Sequence, residues 1–336
     1  MDNNLPVLSA SKLSNLDKCS WIAYAIYVLK VPDTANFGSK RGSTLHDLLE
    51  CLLNKRHHKK VKKLIKDKTI NELPCIVRYL TQKMKKIGLG LEDDKGNNNL
   101  NLLEEMLLVA LNTDFFLKGL KLEKAELKFQ YTNPEKTYTI KGFIDKLASD
   151  KDTFIVIDYK TSSPTSEDYD DLSFNVQALM YSLYCRLEYQ KPAKVRFLML
   201  RSPDNVVREV EFTLDQLLGF EQYLISISNY LKDFTYAKGV SNLAANKPYA
   251  KKGFSGPIVC GKASYKGQLK KDGTEMYYCK FKFPQTYYGL YNEEAELIKT
   301  ALKREELELV AKPNELIMTL QYNGCPRFNS KETTDL

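Results

Sequence analysis

The chain has 336 residues, of which 43% are apolar and 27% charged, with a formal net charge of +8 and a pI near 8.9. That is enough apolar material for a large core or two domains, and too much for a disordered chain. No run approaches the ~20 apolar residues of a membrane span, and the basic balance suits a polyanionic partner without requiring one.

Met1-Asp2-Asn3-Asn4 has neither the basic nor the apolar region of a secretion signal. The seven cysteines are scattered, which fits a reducing cytoplasm better than a disulfide framework. Residues 9–30 read as a helix, with an N-cap at Ser9 or Ser11 and a stripe through Leu13, Leu16, Cys19 and Ile22. Val31-Pro32 ends it, and 37–44, with two glycines, reads as a loop. A second helix follows from Ser43, with Leu45, Leu48, Leu49 and Leu52 at helical spacing and His46 at the edge of that stripe. Taken alone, His46 is a half-buried histidine satisfied by a neighbour.

Residues 55–120 read as all-helical, with a strongly basic stretch from Lys55 to Lys68 that could track phosphates or simply be a solvated face. From Leu122 the period changes from 3.6 to 2. Strands are expected over 123–131, 137–148, 153–160 and 194–200, with a helix over 173–189. A helix over 213–234 leads to a Gly- and Pro-rich linker, 237–257. Beyond it, Tyr265–Phe283 reads as a lysine- and tyrosine-rich hairpin around Asp272-Gly273, either a single-strand-binding platform or a plain hairpin with charged edges. A charged helix (293–310), a last strand (316–320) and a disordered end from 329 complete the expectation. The division is therefore 1–121, helical; 122–236, an α/β core; 237–257, a linker; and 258–336, a basic, aromatic, β-rich extension.

The chemistry concentrates on Gly142-Phe143-Ile144-Asp145 and Phe154-Ile155-Val156-Ile157-Asp158-Tyr159-Lys160-Thr161. Both faces of the second strand are apolar up to Asp158, the pattern of a central, doubly covered strand. Asp158 and Lys160, two apart, share a face. Acids at such a place are costly unless compensated, and a divalent cation would compensate Asp145 and Asp158 together.

These residues resemble the PD-(D/E)XK nuclease superfamily and, within it, the RecB-like branch, whose motif runs from glycine through two hydrophobics to aspartate and then D-Y-K-T. Three further matches fall in order: Gly42-x-x-x-His46, Glu126 on the preceding strand, and Gln177-x-x-x-Tyr181 on the following helix. The resemblance covers residues 9–200. It implies a restriction-endonuclease-like core, a central mixed sheet flanked by helices, with a helical region before it and a β-rich extension after it. It implies a metal-dependent DNA nuclease, with an exonuclease in recombination, repair or phage DNA metabolism as first reading. A structure-specific or nonspecific endonuclease, an RNA nuclease, or a scaffold keeping the fold without the chemistry are the alternatives.

Asp145, Asp158, the Tyr159 carbonyl and His46 would hold Mg²⁺, with Mn²⁺ as a substitute. Glu126 would serve a second ion or a bound water. Lys160 would orient or deprotonate the attacking water, or stabilise the charge developing on phosphorus. Gln177 and Tyr181 would hold the DNA backbone or brace the lysine. The chain has no G-x-x-x-x-G-K-[ST], so any helicase or recombination partner would be a separate chain. Some RecB-like nucleases carry an iron–sulfur cluster on one early and three late cysteines. Here Cys19, Cys260, Cys279 and Cys325 occupy such places, but 18 and 45 residues intervene between the late three, and that spacing argues against a cluster.

Overall fold

A computed structural model describes residues 5–33, 37–93, 96–113, 115–162, 171–244 and 258–329. Residues 163–170, within a Ser-, Asp- and Glu-rich stretch that reads as a loop, most of the linker and the end of the tail lie outside the described residues. The chain forms two compact units, Met1–Ala10 with Ala35–Asn229, and Ser11–Thr34 with Tyr230–Leu336.

In the first unit the elements are β1 (Val7–Leu8), then, after α1 (Ala10–Lys18) and α2 (Ser20–Tyr27), α3 (Phe37–Leu53), α4 (His58–Asp67), α5 (Pro74–Lys86) and α6 (Asn99–Asn112). Strands β2 (Lys121–Thr132), β3 (Thr139–Ser149) and β4 (Phe154–Lys160) follow, then α7 (Val176–Tyr189), β5 (Ala193–Met199), β6 (Val207–Glu211) and α8 (Leu214–Lys232). The sheet runs β1-β3-β4-β5-β6, with β2 also paired to β3. β2, β3 and β4 are antiparallel neighbours, β4 and β5 are parallel across the α7 crossover, and β6 returns antiparallel. This is a mixed α/β fold with a central sheet flanked by helices, as expected of a restriction-endonuclease-like core.

β4 is buried from Phe154 through Tyr159. On one side Ile155, Ile157 and Tyr159 pack into the leucine core of α3, α5 and α6. On the other, Phe154 lies 5.0 Å from the Tyr189 ring of α7. Burial on both sides is why this strand has no polar alternation until its end.

Three expectations need correction. α3 begins at Phe37 and takes in the stretch read as a loop. Gly42 sits inside it for a packing reason given below. The helix expected over 9–30 is two helices broken at Cys19, whose backbone is extended. In the second unit the charged stretch 293–310 is not one helix. Leu297–Ala301 forms a strand, and only Glu305–Glu308 is helical.

That second unit holds α9 (Tyr236–Val240) and a sheet in the order β8-β7-β9, built from β7 (Gln285–Tyr291), β8 (Leu297–Ala301) and β9 (Leu316–Tyr322), with α10 (Glu305–Glu308) between the last two. The Asp272-Gly273 turn is present, with Gly273 at φ +78°. Its arms form no continuous ladder, but the isolated bridges Leu269–Glu275 and Gly261–Tyr278 and backbone hydrogen bonds such as Met276 N–H to the Gln268 carbonyl and Cys279 N–H to the Cys260 carbonyl join them irregularly. Trp21 Nε1 donates to the Tyr322 hydroxyl at 2.6 Å, which donates to the Phe281 carbonyl at 2.7 Å. Among the described residues no helix is long and apolar enough to cross a membrane.

Candidate active site

β3 and β4 stay in register from Ser149–Phe154 to Lys146–Ile157. Past that pair the ladder stops, and Asp145 and Asp158 face a cavity of ≈ 660 Å³. All eight residues singled out in the sequence, His46, Glu126, Asp145, Asp158, Tyr159, Lys160, Gln177 and Tyr181, line it.

Asp145 Oδ2 accepts the Tyr159 backbone N–H at 2.7 Å, and Oδ1 lies 2.9 Å from His46 Nδ1. His46 Nε2 lies 3.0 Å from the Tyr159 carbonyl oxygen. Both ring nitrogens thus face acceptors, which suits an imidazolium. Burial pulls the His46 pKa down, but the hydrogen bond to Asp145 and the charges of Asp145 and Asp158 outweigh it and lift it to about 9.

Asp158 is the node of a second network. Its Oδ1 accepts from Gln177 Nε2 at 3.0 Å and lies 2.9 Å from the Tyr181 hydroxyl, while its Oδ2 lies 2.5 Å from Lys160 Nζ. Lys160 also donates to Gln177 Oε1 at 2.7 Å and stands 5.0 Å from the Phe197 ring centroid. Gln177 Nε2 lies 2.6 Å from the Tyr181 hydroxyl, which donates to the Phe143 carbonyl at 2.5 Å. Burial raises the Asp158 pKa, Lys160 lowers it, and Asp145 raises it again.

Tyr181 is buried, and the polar atoms of Gln177 and Tyr181 are engaged inside this network. Gln177 contacts Lys160 and Asp158, and Tyr181 contacts Gln177, Asp158 and the Phe143 carbonyl.

Glu126 lies within β2 opposite Asp145, at a position the β2–β3 ladder skips, and its φ of +46° lies in the left-handed region, a strained conformation for a non-glycine residue. A Glu126 oxygen lies within 4.8 Å of donor atoms of His46 and Asp145. Burial, then Asp145, pushes its pKa up to about 7.

The motif glycines are close-approach positions. A Cβ on Gly142 would sit 2.6 Å from Phe129 Cζ, and one on Gly42 would sit 2.9 Å from Thr161 Oγ1. Phe129 in turn stacks on Tyr184 of α7 at 4.1 Å. Gly142 thus lets the helix carrying Gln177 and Tyr181 lie close to the strand carrying Asp145, and Gly42 does the same for His46 and the end of β4.

The donor set fits a hard divalent cation. Donor atoms of His46, Glu126 and Asp145 lie within 4.8 Å of one another, with Asp158 and Tyr159 lining the same cavity, and protons accumulate on the group: His46 stays charged toward pH 9 and Glu126 holds its proton toward pH 7. Those protons occupy the place of a positive ion. Sequence reasoning missed one cavity residue of consequence, Phe143. A hydrophobic motif position reads as core, yet Phe143 is 57% exposed.

The cysteine expectation also changes. In the second unit Cys19, Cys260, Cys279 and Cys325 line one cavity together with Trp21, Phe281 and Lys282. Separation along the chain says nothing about separation in space, and the argument from spacing fails. The N–H groups of Trp21, Ile22 and Ala244 point at the Cys19 sulfur, that of Phe281 at Cys279, and that of Arg327 at Cys325. Burial nonetheless raises all four thiols, Cys279 to about 12 and Cys325 to about 11. Three of the four thiols are buried and Cys279 is half-buried, and N–H groups point at Cys19, Cys279 and Cys325.

No curated protein matches this chain. Among solved structures, a Eubacterium rectale protein described as a candidate exonuclease is 12% identical with a TM-score of 0.42, over 74% of this chain and 91% of that one. SSO0001 is 15% identical with a TM-score of 0.25, over 66% of this chain and 85% of that one. A family profile described as the PD-(D/E)XK nuclease superfamily matches residues 7–248, and the chain that carries this site belongs to that superfamily.

Proposed function

We propose that the cavity hydrolyses phosphodiester bonds in DNA with Mg²⁺ as its cofactor, and that the chain is an exonuclease of the RecB-like branch acting on strand ends in the cytoplasm. The observation that carries this reading is the convergence of eight motif residues from five separate stretches of the chain on one cavity. Asp145, Asp158, His46 and the Tyr159 carbonyl would hold the ion, and Glu126 a water or a second ion. When bound, it would neutralise the phosphoryl oxygens and make a nucleophilic water available near neutral pH. Loading it would require His46 to give up a ring proton.

Lys160 is positioned by Gln177 Oε1 and Asp158, so its ammonium is fixed beside the two acids. That places it to orient the attacking water or to balance charge on the phosphorane. Gln177 and Tyr181 act through Lys160 and Asp158 and are positioning residues. End-labelled linear DNA incubated with the protein and Mg²⁺ should be degraded, EDTA should abolish the reaction, and Lys160→Ala should lack it. Equal product from wild type and Lys160→Ala would sink the proposal, and equal activity on circular and linear DNA would favour an endonuclease. A helicase or recombination protein would be its partner.

A second proposal rests on the cysteine quartet. Cys19, Cys260, Cys279 and Cys325 would hold an iron–sulfur cluster, as the resemblance allows, with a structural role. Protein purified without oxygen should carry iron and acid-labile sulfide, and Cys279→Ser should lose both along with thermal stability. Protein that carries neither, or carries zinc alone, overturns the assignment.

A further inference from the structure

Phe143 is the one member of the site cavity whose surface and chemistry are mismatched. It is a large apolar side chain, 57% exposed, beside Asp145, Asp158 and Lys160. Leaving such a ring in water forfeits the gain of burying it. The nearby Phe129 is buried at 3%, so shelter was available one strand away. The backbone of Phe143 is pinned, because its carbonyl accepts from Tyr181. The exposed ring is thus presented from a fixed point at the edge of the network that holds Asp158 and Lys160.

Its surroundings on the sheet are basic. Phe143 pairs directly with Lys128 of β2, and Lys141 lies two residues back along β3. Directly opposed residues place their Cβ atoms about 4.5–5.5 Å apart, and residues two apart share a face. Lys128, Lys141 and Phe143 therefore share one face of the β2–β3 hairpin, and all three are exposed. Cations beside an exposed ring, leading into a cavity lined by acids and a lysine, make a track for a phosphate backbone with a platform for one base.

We infer that Phe143 stacks on the base adjoining the phosphate that enters the cavity, with Lys141 and Lys128 on neighbouring phosphates, so that the site takes nucleic acid whose bases are unpaired. A base inside a duplex keeps both faces against its neighbours and offers none to the ring. This inference rests on the nuclease reading and names its substrate class.

The test is equilibrium binding of a labelled short oligothymidylate by the full chain, with Ca²⁺ replacing Mg²⁺ to prevent turnover. Phe143→Ala should weaken binding roughly 5- to 100-fold, the range for one stacked base. Phe143→Trp should retain affinity, and Phe143→Leu, apolar but without a π face, should not. An abasic nucleotide walked along the strand should cost wild type a similar factor at one position and cost Phe143→Ala nothing further there, because base and ring are two halves of one contact. The inference is overturned if Phe143→Ala binds within about twofold of wild type, if Leu serves as well as Trp, if the two losses simply multiply, or if a blunt duplex binds as tightly as the single strand. Failure of the nuclease reading shows elsewhere, as Lys160→Ala cutting as well as wild type.

Discussion

Gly142→Ala should destabilise the first unit through one contact, with Phe129. Gly142 is not among the positions of positive φ, so alanine fits its backbone and the cost is steric. The new methyl would stand 2.6 and 2.7 Å from two carbons of the Phe129 ring, whereas carbon atoms settle at roughly 3.5–4.0 Å, so something must yield by about 1 Å. The ring cannot yield freely, since it is stacked 4.1 Å from Tyr184 with an interplanar angle of 16°. Overpacking of this kind costs roughly 1–3 kcal/mol, against about 0.4–1 kcal/mol recovered from the unfolded chain on replacing glycine. At about 2–4 °C per kcal/mol for a domain of this size, the Tm should fall by up to roughly 10 °C.

The contact is isolated by a double-mutant cycle in thermal or urea unfolding. Phe129→Leu makes room, so Gly142→Ala should cost about 1 kcal/mol or more less in that background. Nuclease activity should fall with Gly142→Ala as well, because the displaced ring presses on the helix that carries Gln177 and Tyr181. If Gly142→Ala leaves the unfolding midpoint unchanged, or costs the same with and without Phe129, the steric account of the motif glycine is wrong.

Metal-free protein should lose stability as pH rises. His46 is lifted from its ordinary 6.5 to about 9 and Glu126 from 4.5 to about 7, so both folded pKa values lie above the unfolded ones. Their contribution is present at low pH and is lost as pH climbs through about 4.5–7 for Glu126 and 6.5–9 for His46. Urea midpoints in EDTA should therefore fall across that range and His46→Gln should flatten the upper half; a rising midpoint would refute the electrostatics. Saturating Mg²⁺ should flatten the whole slope, since the ion replaces the protons. Tyr181→Phe removes the hydroxyl shared by Gln177, Phe143 and Asp158, and should lower kcat on the order of tenfold with little change in KM; a KM effect alone would point to substrate contact instead. Tyr322→Phe in the second unit leaves the buried Trp21 N–H and Phe281 carbonyl without their shared partner, and should cost about 1–3 kcal/mol in urea unfolding.

The hairpin of the candidate site was legible because its signal is local. Burial on both faces of β4 is written in Phe154–Ile157, and the parity of Asp158 and Lys160 follows from the pleat alone. What was not legible is what tertiary contact decides. Leu297-Ile298-Lys299-Thr300-Ala301 stands among strong helix formers, and pairing with β7 overrides that propensity. Gly38 and Gly42 read as loop because glycine lowers helix propensity; Gly42 sits in α3 because the helix must pass close to Thr161. The left-handed Glu126 leaves no trace in composition. Nor does the meeting of Cys19 with cysteines some 240 to 306 positions away, since chain separation bounds loop entropy and not distance.

The motif is best understood as two interlocked hydrogen-bonded networks rather than as a set of residues. Asp145 is held by the Tyr159 backbone N–H, on the strand that carries Asp158, and His46 lies against the Tyr159 carbonyl. Lys160 is held by Gln177, Gln177 by Tyr181 and Asp158, and Tyr181 by the carbonyl two residues before Asp145. The path closes on the strand where it began. Asp145 is thereby fixed by the strand that presents Asp158, and Asp158 is tied back to the strand of Asp145 through Tyr181. Such closure explains why a glycine, a histidine, two acids, a lysine, a glutamine and a tyrosine spread over 140 positions behave as one object: burying two carboxylates side by side is tolerable only while every member of the network is in place.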